Sequence, residues 1–80
     1  MIKVWINCKT RRHYTVHLAE DLLGDWVLLR SWGSLDNGAG HIRKDLVADY
    51  RSGCLEVELI ASRRQAHGYL MVEGKVSLTG

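Results

Sequence analysis

The most apolar stretch of the chain lies between Trp26 and Trp32, and a glycine-rich segment follows it directly. Aromatic, β-branched and leucine residues fill the run, and only Arg30 and Ser31 are polar. This pattern predicts a strand that is covered on both faces and lies at the centre of a sheet. The glycines between positions 33 and 40 tolerate positive φ, so they predict a tight return into another strand.

Two further strands are predicted before this run. Apolar residues at most positions of 2–6 indicate a short first strand. Apolar and polar residues alternate over 14–18, which is typical of a half-buried second strand. The polar segment 19–25 predicts a long hairpin loop, and we expect Leu22 and Leu23 to tuck that loop against the core.

The pattern changes to a helical period after a predicted edge strand over 41–47. Asp49 is suited to cap a helix of about 49–67, and Gly68 is suited to end it. One helical face is formed by Gly53, Val57, Ile60, Ala61 and Arg64. We expect Gly53 to allow a close approach of this helix to the sheet.

A final strand over 69–72 and a turn at Glu73 and Gly74 complete the pattern. The order β-β-β-β-α-β predicts an α+β fold, with one helix packed on a small antiparallel sheet of four to five strands. The chain of 80 residues is expected to form a single domain, 1–80, because a second core would not fit.

The composition restricts the class of protein but does not indicate a function. With 46% apolar and 25% charged residues and no proline, the chain has the composition of an ordinary folded domain. It shows no signal-peptide pattern and no apolar run long enough for a bilayer, so we expect a cytoplasmic protein that does not bind membranes. Cys8 and Cys54 are too few for a disulfide framework and are expected to be reduced thiols.

The net charge of +2 does not by itself indicate a nucleic-acid partner, so the placement of the charges decides. Antiparallel strands bring the start of one strand beside the end of the next, which places Arg11 and Arg12 near Trp32. An aromatic ring flanked by basic residues is the pairing with which nucleic-acid binders stack on bases and contact phosphates. The candidate residues are Lys9, Arg11, Arg12, Trp32, Ser34, Arg43 and Lys44.

Other interpretations of these residues stay open. Basic residues on a small domain are more often plain solvated charge, and packing of Trp32 within the hairpin is at least as common as a ligand contact. Trp5 and Trp26 are assigned to packing.

Catalytic and metal sites find little support in the sequence. His13 and His17 share one face of a strand, but about 13 Å separates them, whereas zinc bonds are about 2 Å long. Cys54 would need a histidine such as His41 or His67 as a partner, and no motif indicates that pairing. We expect no enzymatic activity, no metal, no cofactor and no small-molecule substrate.

The spacing of several residues resembles that of WGR domains, small sheet-and-helix modules of DNA-dependent poly(ADP-ribose) polymerases and of short stand-alone or fused bacterial proteins. The resemblance covers residues 14–69. It is carried by a Tyr-x-aliphatic-x-aliphatic strand, by Gly-x-Trp-x-Leu followed by Trp-Gly, by a glycine-rich loop, and by a helix that ends in Arg-x-x-x-Gly-Tyr. The matching residues are Tyr14, Val16, Leu18, Gly24, Trp26, Leu28, Arg30, Trp32, Gly33, Gly40, Arg64, Gly68 and Tyr69.

The resemblance implies a role for Trp32, because in the polymerase relatives the strand-end tryptophan packs on the sugar at a DNA end or nick. The arginine that follows Trp-Gly in the family is replaced by Ser34, which can hydrogen-bond a phosphate but carries no charge. Asp36 stands where a second glycine is usual, and it would repel a phosphate on the same surface.

Two hypotheses of function follow. The first is a nucleic-acid-binding module that contacts DNA backbone, ends or nicks without sequence specificity. The second is a protein-interaction module, including a homodimer, that uses the edge of the final strand or the tryptophan surface.

Overall fold

The computed structural model describes residues 1–38 and 40–72, and it confirms the predicted α+β fold. The strands are β1 (Ile2–Asn7), β2 (Arg12–Glu20), β3 (Trp26–Ser34), β4 (Gly40–Val47) and β5 (Leu70–Val72), and helix α1 spans Tyr50–Ala66. The strands form one antiparallel sheet in the order β4-β3-β2-β1-β5. The predicted turn at 73–74 lies outside the described residues. No helix in the described part of the chain is long and apolar enough to span a membrane.

The central strand is β2, so the prediction that the Trp26 run forms the centre of the sheet is wrong. Strand β3 lies one place away, between β2 and the edge strand β4. The reason is that β1 and β5 extend the sheet on the far side of β2, and the apolar content of one strand does not reveal how many neighbours follow. The predictions that 41–47 and the last strand lie at edges are confirmed.

The core forms between α1 and one face of the sheet. Its buried members are Trp5, Val16, Leu18, Leu28, Val57 and Ile60, and each is at most 3% exposed. Because side chains alternate along a strand, the even-numbered residues of β2 and β3 face the helix, and the odd-numbered residues face away. Trp5 is confirmed as a packing residue, and the half-buried Trp26 also packs against this core.

Helix α1 begins and ends as predicted. Asp49 accepts a hydrogen bond from the Ser52 backbone N–H at 2.7 Å, and Gly68 follows the helix with φ of +85°. At Gly53 an added Cβ would lie 2.5 Å from Leu18 Cδ1, which confirms the close approach expected there. The last turn is tied to the sheet by Asn7, whose side-chain N–H donates to the His67 carbonyl at 3.1 Å.

One expectation about covered surface is met only in part, and another is wrong. On the second face of β3, Val27 is 6% exposed but Leu29 is 37% exposed, because the described chain provides only α1 as a layer. Leu22 and Leu23 do not tuck against the core, since they are 105% and 86% exposed. Their loop closes on Asp21, whose carboxylate accepts from the backbone N–H groups of Leu23 and Asp25, both at 2.9 Å, so both leucines point outward.

Candidate nucleic-acid interface

Three aromatic rings form a row across neighbouring strands on the helix side of the sheet. Tyr14 of β2 lies opposite Trp32 of β3, and Trp32 lies opposite His41 of β4. The Tyr14 and Trp32 rings stack at 5.7 Å and 13°, and the Trp32 and His41 rings stack at 5.6 Å and 28°. We call these three residues the aromatic row.

The aromatic row runs from the core to the solvent. Trp5, which is 2% exposed, contacts the edge of Tyr14 with ring centroids 6.3 Å apart and planes at 66°. Trp32 is half-buried, and His41 is exposed. The indole therefore has one end anchored through packed neighbours and is not wholly enclosed. This placement combines the two alternatives for Trp32, because the ring both packs within the hairpin and borders an open surface.

Arginines surround the aromatic row and form with it a groove of about 430 Å³. The groove is lined by Arg12, Tyr14, Arg30, Trp32, His41, Arg43, Arg64 and Tyr69. Every lining residue is aromatic or basic, and none carries a carboxylate. We call it the arginine groove.

Arg64 reaches the arginine groove from the last turn of α1. Its guanidinium carbon lies 4.5 Å from the centre of the Tyr14 ring and 5.1 Å from that of Tyr69, within the range of cation–π attraction. The Arg64 Nε is buried, and no hydrogen-bond acceptor contacts it within the described residues. The Tyr69 N–H donates to the Arg64 carbonyl at 2.9 Å, which fixes this tyrosine beside the arginine.

Two of the four arginines are neutralised by nearby acids. Arg30, with a side chain 17% exposed, lies 3.6 Å from Asp45 and 3.8 Å from Glu56. Arg43 contacts the same Asp45 at 3.0 Å. For Arg12 and Arg64, by contrast, the described residues supply no carboxylate within 4.0 Å. Arg12 and Arg64 are therefore the charges most available to an anion.

The structure brings together three of the seven predicted site residues, namely Trp32, Arg12 and Arg43. The Ser34 hydroxyl, which lies just beyond Trp32, accepts the Asp36 N–H at 3.1 Å. Lys44 points to the opposite face of the sheet, because it is one residue away from Arg43 in the same strand. Lys9 lies beside the helix end in a separate hollow with His67.

Arg11 is held outside the arginine groove by an ion pair. Its guanidinium donates to Asp36 at 2.8 Å, and both side chains are more than half exposed. This hydrogen bond raises the pKa of Arg11 and lowers the pKa of Asp36. Asp36, which was expected to repel a phosphate on this surface, is thus paired with Arg11 instead.

Sequence reasoning missed five lining residues of the arginine groove: Tyr14, Arg30, His41, Arg64 and Tyr69. The alternation of side chains along the strands could have indicated some of them. Tyr14, Arg30 and Trp32 are even-numbered, as are the core residues of β2 and β3, so they lie on the same face of the sheet. Arg64 was placed on one helical face and in the family resemblance but was not assigned to a binding site. What the sequence lacked was the register that places His41 beside Trp32.

Elsewhere in the described residues, no group of three or more His, Cys, Asp or Glu side chains could hold a metal ion. Cys8 and Cys54 are free thiols. Comparison of the chain with models of protein families, with curated proteins and with solved structures finds no match.

Proposed function

We propose that this domain binds nucleic acid without sequence specificity, and that the arginine groove is its binding surface. The observation that carries the proposal is a row of stacked rings bordered by the unpaired arginines Arg12 and Arg64. Stacking on an aromatic ring contributes about 1 to 3 kcal/mol per base and tolerates any base. Guanidinium groups beside the rings contact phosphates, which contribute affinity but carry no sequence information.

The shape of the groove favours a sugar, an unstacked base or a strand end over an intact major groove. The groove is formed by a sheet face, a loop and a helix end, and α1 presents its last turn rather than a polar face to it. His41, at the outer end of the aromatic row, is exposed to solvent. Ends, nicks and single strands offer such unstacked groups, whereas the middle of a duplex does not.

The resemblance to WGR domains supports the same proposal, and we propose membership of that family. Ser34 occupies the position of the arginine that follows Trp-Gly in the family. Arg12 lies directly opposite Ser34 in the β2–β3 register. A guanidinium is therefore available at this position from the neighbouring strand. Asp36 does not oppose a phosphate in the groove, because Arg11 neutralises it.

The proposal is tested by fluorescence anisotropy with a labelled nicked duplex, the intact duplex and a single strand of the same sequence. We expect the nicked duplex and the single strand to bind more tightly than the intact duplex. The logarithm of affinity should fall with the logarithm of salt concentration by about 0.7 to 0.9 per phosphate contacted. Absence of binding to all three probes at low salt would refute the proposal.

Arg12→Gln and Lys44→Gln form a matched pair of variants. Each removes one exposed positive charge that has no carboxylate partner within 4.0 Å in the described residues, but the two side chains lie on opposite faces of the sheet. Arg12→Gln should weaken binding and reduce the salt slope by about one phosphate contact, whereas Lys44→Gln should change neither. Equal effects would indicate general electrostatic attraction and would remove the groove from the proposal.

Trp32→Ala tests the stacking contribution separately. If the circular dichroism spectrum shows that the variant is folded, we expect binding to fall by up to about 150-fold. The indole supports His41, the outer ring of the aromatic row, and a base stacked on that ring would contribute about 1 to 3 kcal/mol. Arg64→Lys provides a second test without removing a core-linked ring, because lysine keeps the charge but lacks the guanidinium group that lies over the Tyr14 ring. Unchanged binding in both variants would contradict a role for the aromatic row.

A further inference from the structure

The aromatic row is part of a longer stack of planar groups that crosses the sheet. The guanidinium carbon of Arg64 lies 4.5 Å from the centre of the Tyr14 ring. Tyr14 stacks on Trp32, and Trp32 in turn stacks on His41. We call these four groups the stacked column. It begins at the last turn of α1 and ends at β4, which is an edge strand of the sheet.

The order of the strands decides which ring faces are already occupied. Trp32 belongs to β3, so Tyr14 of β2 and His41 of β4 lie on opposite sides of the indole. Tyr14 has Trp32 on its β3 side. Arg64 covers the other side of this tyrosine, because the same guanidinium carbon lies 5.1 Å from the ring centre of Tyr69, which leads into β5 beyond β1. Neither inner ring therefore presents a whole face to a ligand.

His41 differs from the two inner rings. Its inner side stacks on Trp32 with ring centroids 5.6 Å apart, and no strand of the described chain lies beyond β4. The residue is also exposed to solvent. The stacked column thus ends in an imidazole whose outer face is open at the edge of the sheet.

We propose that His41, rather than Trp32, is the ring on which the ligand stacks, and that the group it takes is an unpaired base. The inference rests on the proposed nucleic-acid function and specifies the ligand of the same groove. Every base has a face that can stack on an aromatic ring, so such a contact needs no particular sequence. A base inside a duplex is already stacked on its neighbours, whereas a single strand, an overhang or a flap can place a base on His41. Trp32 is then a positioning residue that supports the imidazole from behind.

The arginine groove supplies positive charge for the strand that carries this base. Arg12 and Arg64 line the same groove as His41, and the described residues place no carboxylate within 4.0 Å of either guanidinium. Arg43 lies two residues from His41 on the same side of β4, but it is paired with Asp45 at 3.0 Å. Phosphates can therefore lie in the groove while the base lies over the edge of β4. A nick exposes strand ends but keeps its bases paired, so it would use the guanidinium groups without His41.

A thermodynamic cycle between the ring and the base tests the inference. The probes are a labelled thymidine strand and an abasic strand of the same length, which carry equal numbers of phosphates, and binding is measured by fluorescence anisotropy at low salt. The variant is His41→Leu, because leucine covers the indole without offering an aromatic face, whereas alanine would expose Trp32 as a substitute ring. His41→Leu should weaken binding to the thymidine strand at least about fivefold and change binding to the abasic strand by less than about twofold. His67→Leu is the matched control, because His67 is also exposed but lies in the separate hollow with Lys9, and it should change neither.

Two further measurements separate the ring from its nitrogen atoms and the base from the strand end. His41→Phe, which keeps an aromatic face, should hold affinity for the thymidine strand within about threefold of the original. A short unpaired flap added at the nick of a nicked duplex should tighten binding at least about fivefold in the original protein and much less in His41→Leu.

The outcomes distinguish this inference from the proposed function. Equal losses on the thymidine and abasic strands, or no loss on either in His41→Leu, would overturn the role of His41. The groove would still be supported in that case if Arg12→Gln weakens binding. Failure of the original protein to bind any probe at low salt would overturn both proposals.

Discussion

Gly53 is the position where the helix approaches the sheet most closely, and Gly53→Ala tests that geometry. A Cβ at this position would lie 2.5 Å and 2.8 Å from the two methyl carbons of Leu18 and 3.2 Å from its Cγ. Leu18 is 1% exposed and surrounded by core residues, so its methyl groups cannot rotate away freely. Relief of the overlap requires the helix or the leucine to move by roughly 1 Å, because ordinary carbon contacts are about 3.5 to 4.0 Å.

Two opposing effects decide the sign of this substitution. Replacing glycine by alanine inside a helix stabilises by about 1 kcal/mol, whereas adding a methyl group to a filled core costs about 1 to 3 kcal/mol. We therefore expect Gly53→Ala to lower the free energy of unfolding by up to about 2 kcal/mol. For a domain of this size, each 1 kcal/mol corresponds to a fall in Tm of roughly 4 to 8 °C.

Urea unfolding followed by tryptophan fluorescence measures the effect of Gly53→Ala. Ser62→Ala, at an exposed position of the same helix, is the control for helix propensity and should stabilise by a few tenths of a kcal/mol. Leu18→Ala should cost about 2 to 5 kcal/mol alone and less in the Gly53→Ala background, because it removes the overlap. If Gly53→Ala instead stabilises by about 1 kcal/mol and Leu18→Ala costs the same in both backgrounds, the described helix–sheet contact is wrong.

Two further substitutions probe the strand end and the helix start. Gly40→Ala would place a Cβ 2.8 Å from the Trp32 carbonyl oxygen, which belongs to backbone and cannot rotate away, so we expect a loss of about 1 to 3 kcal/mol and a changed indole emission spectrum. The hydrogen bond from the Ser52 N–H lowers the pKa of Asp49, so the contribution of the charged carboxylate to stability is present above its ordinary pKa and is lost as pH falls through the lowered value. The difference in Tm between the original protein and Asp49→Ala should therefore shrink on acidification, and a difference that is constant from pH 7 to pH 2 would contradict this.

The helix and the strands were predictable because their signals are local. A period of 3.6 residues identified the buried stripe of α1, and the missing side chain at Gly53 indicated where that stripe meets the sheet. Alternation over 14–18 gave the buried side of β2. These signals need only neighbouring residues, and so the sequence carries them without knowledge of the topology.

The features that the sequence could not give depend on long-range pairing. Leu22 and Leu23 look like core residues, but hydrogen bonds to Asp21 turn their loop outward. The exposure of Leu29 on the second face of β3 depends on how many layers cover the sheet. The aromatic row requires the register of three strands, and only that register brings Arg12 and His41 to the two sides of Trp32.

The alternation of side chains along β3 separates two sets of positions that substitutions can change independently. Leu28 and Trp32 belong to the core and the arginine groove, whereas Val27 and Leu29 lie on the sheet face opposite α1. A saturation scan of this strand should therefore give a sawtooth profile, in which the even-numbered positions tolerate fewer polar replacements than Leu29. A shift of a single residue in pairing would exchange the two sets, so it would remove the core packing and the arginine groove together.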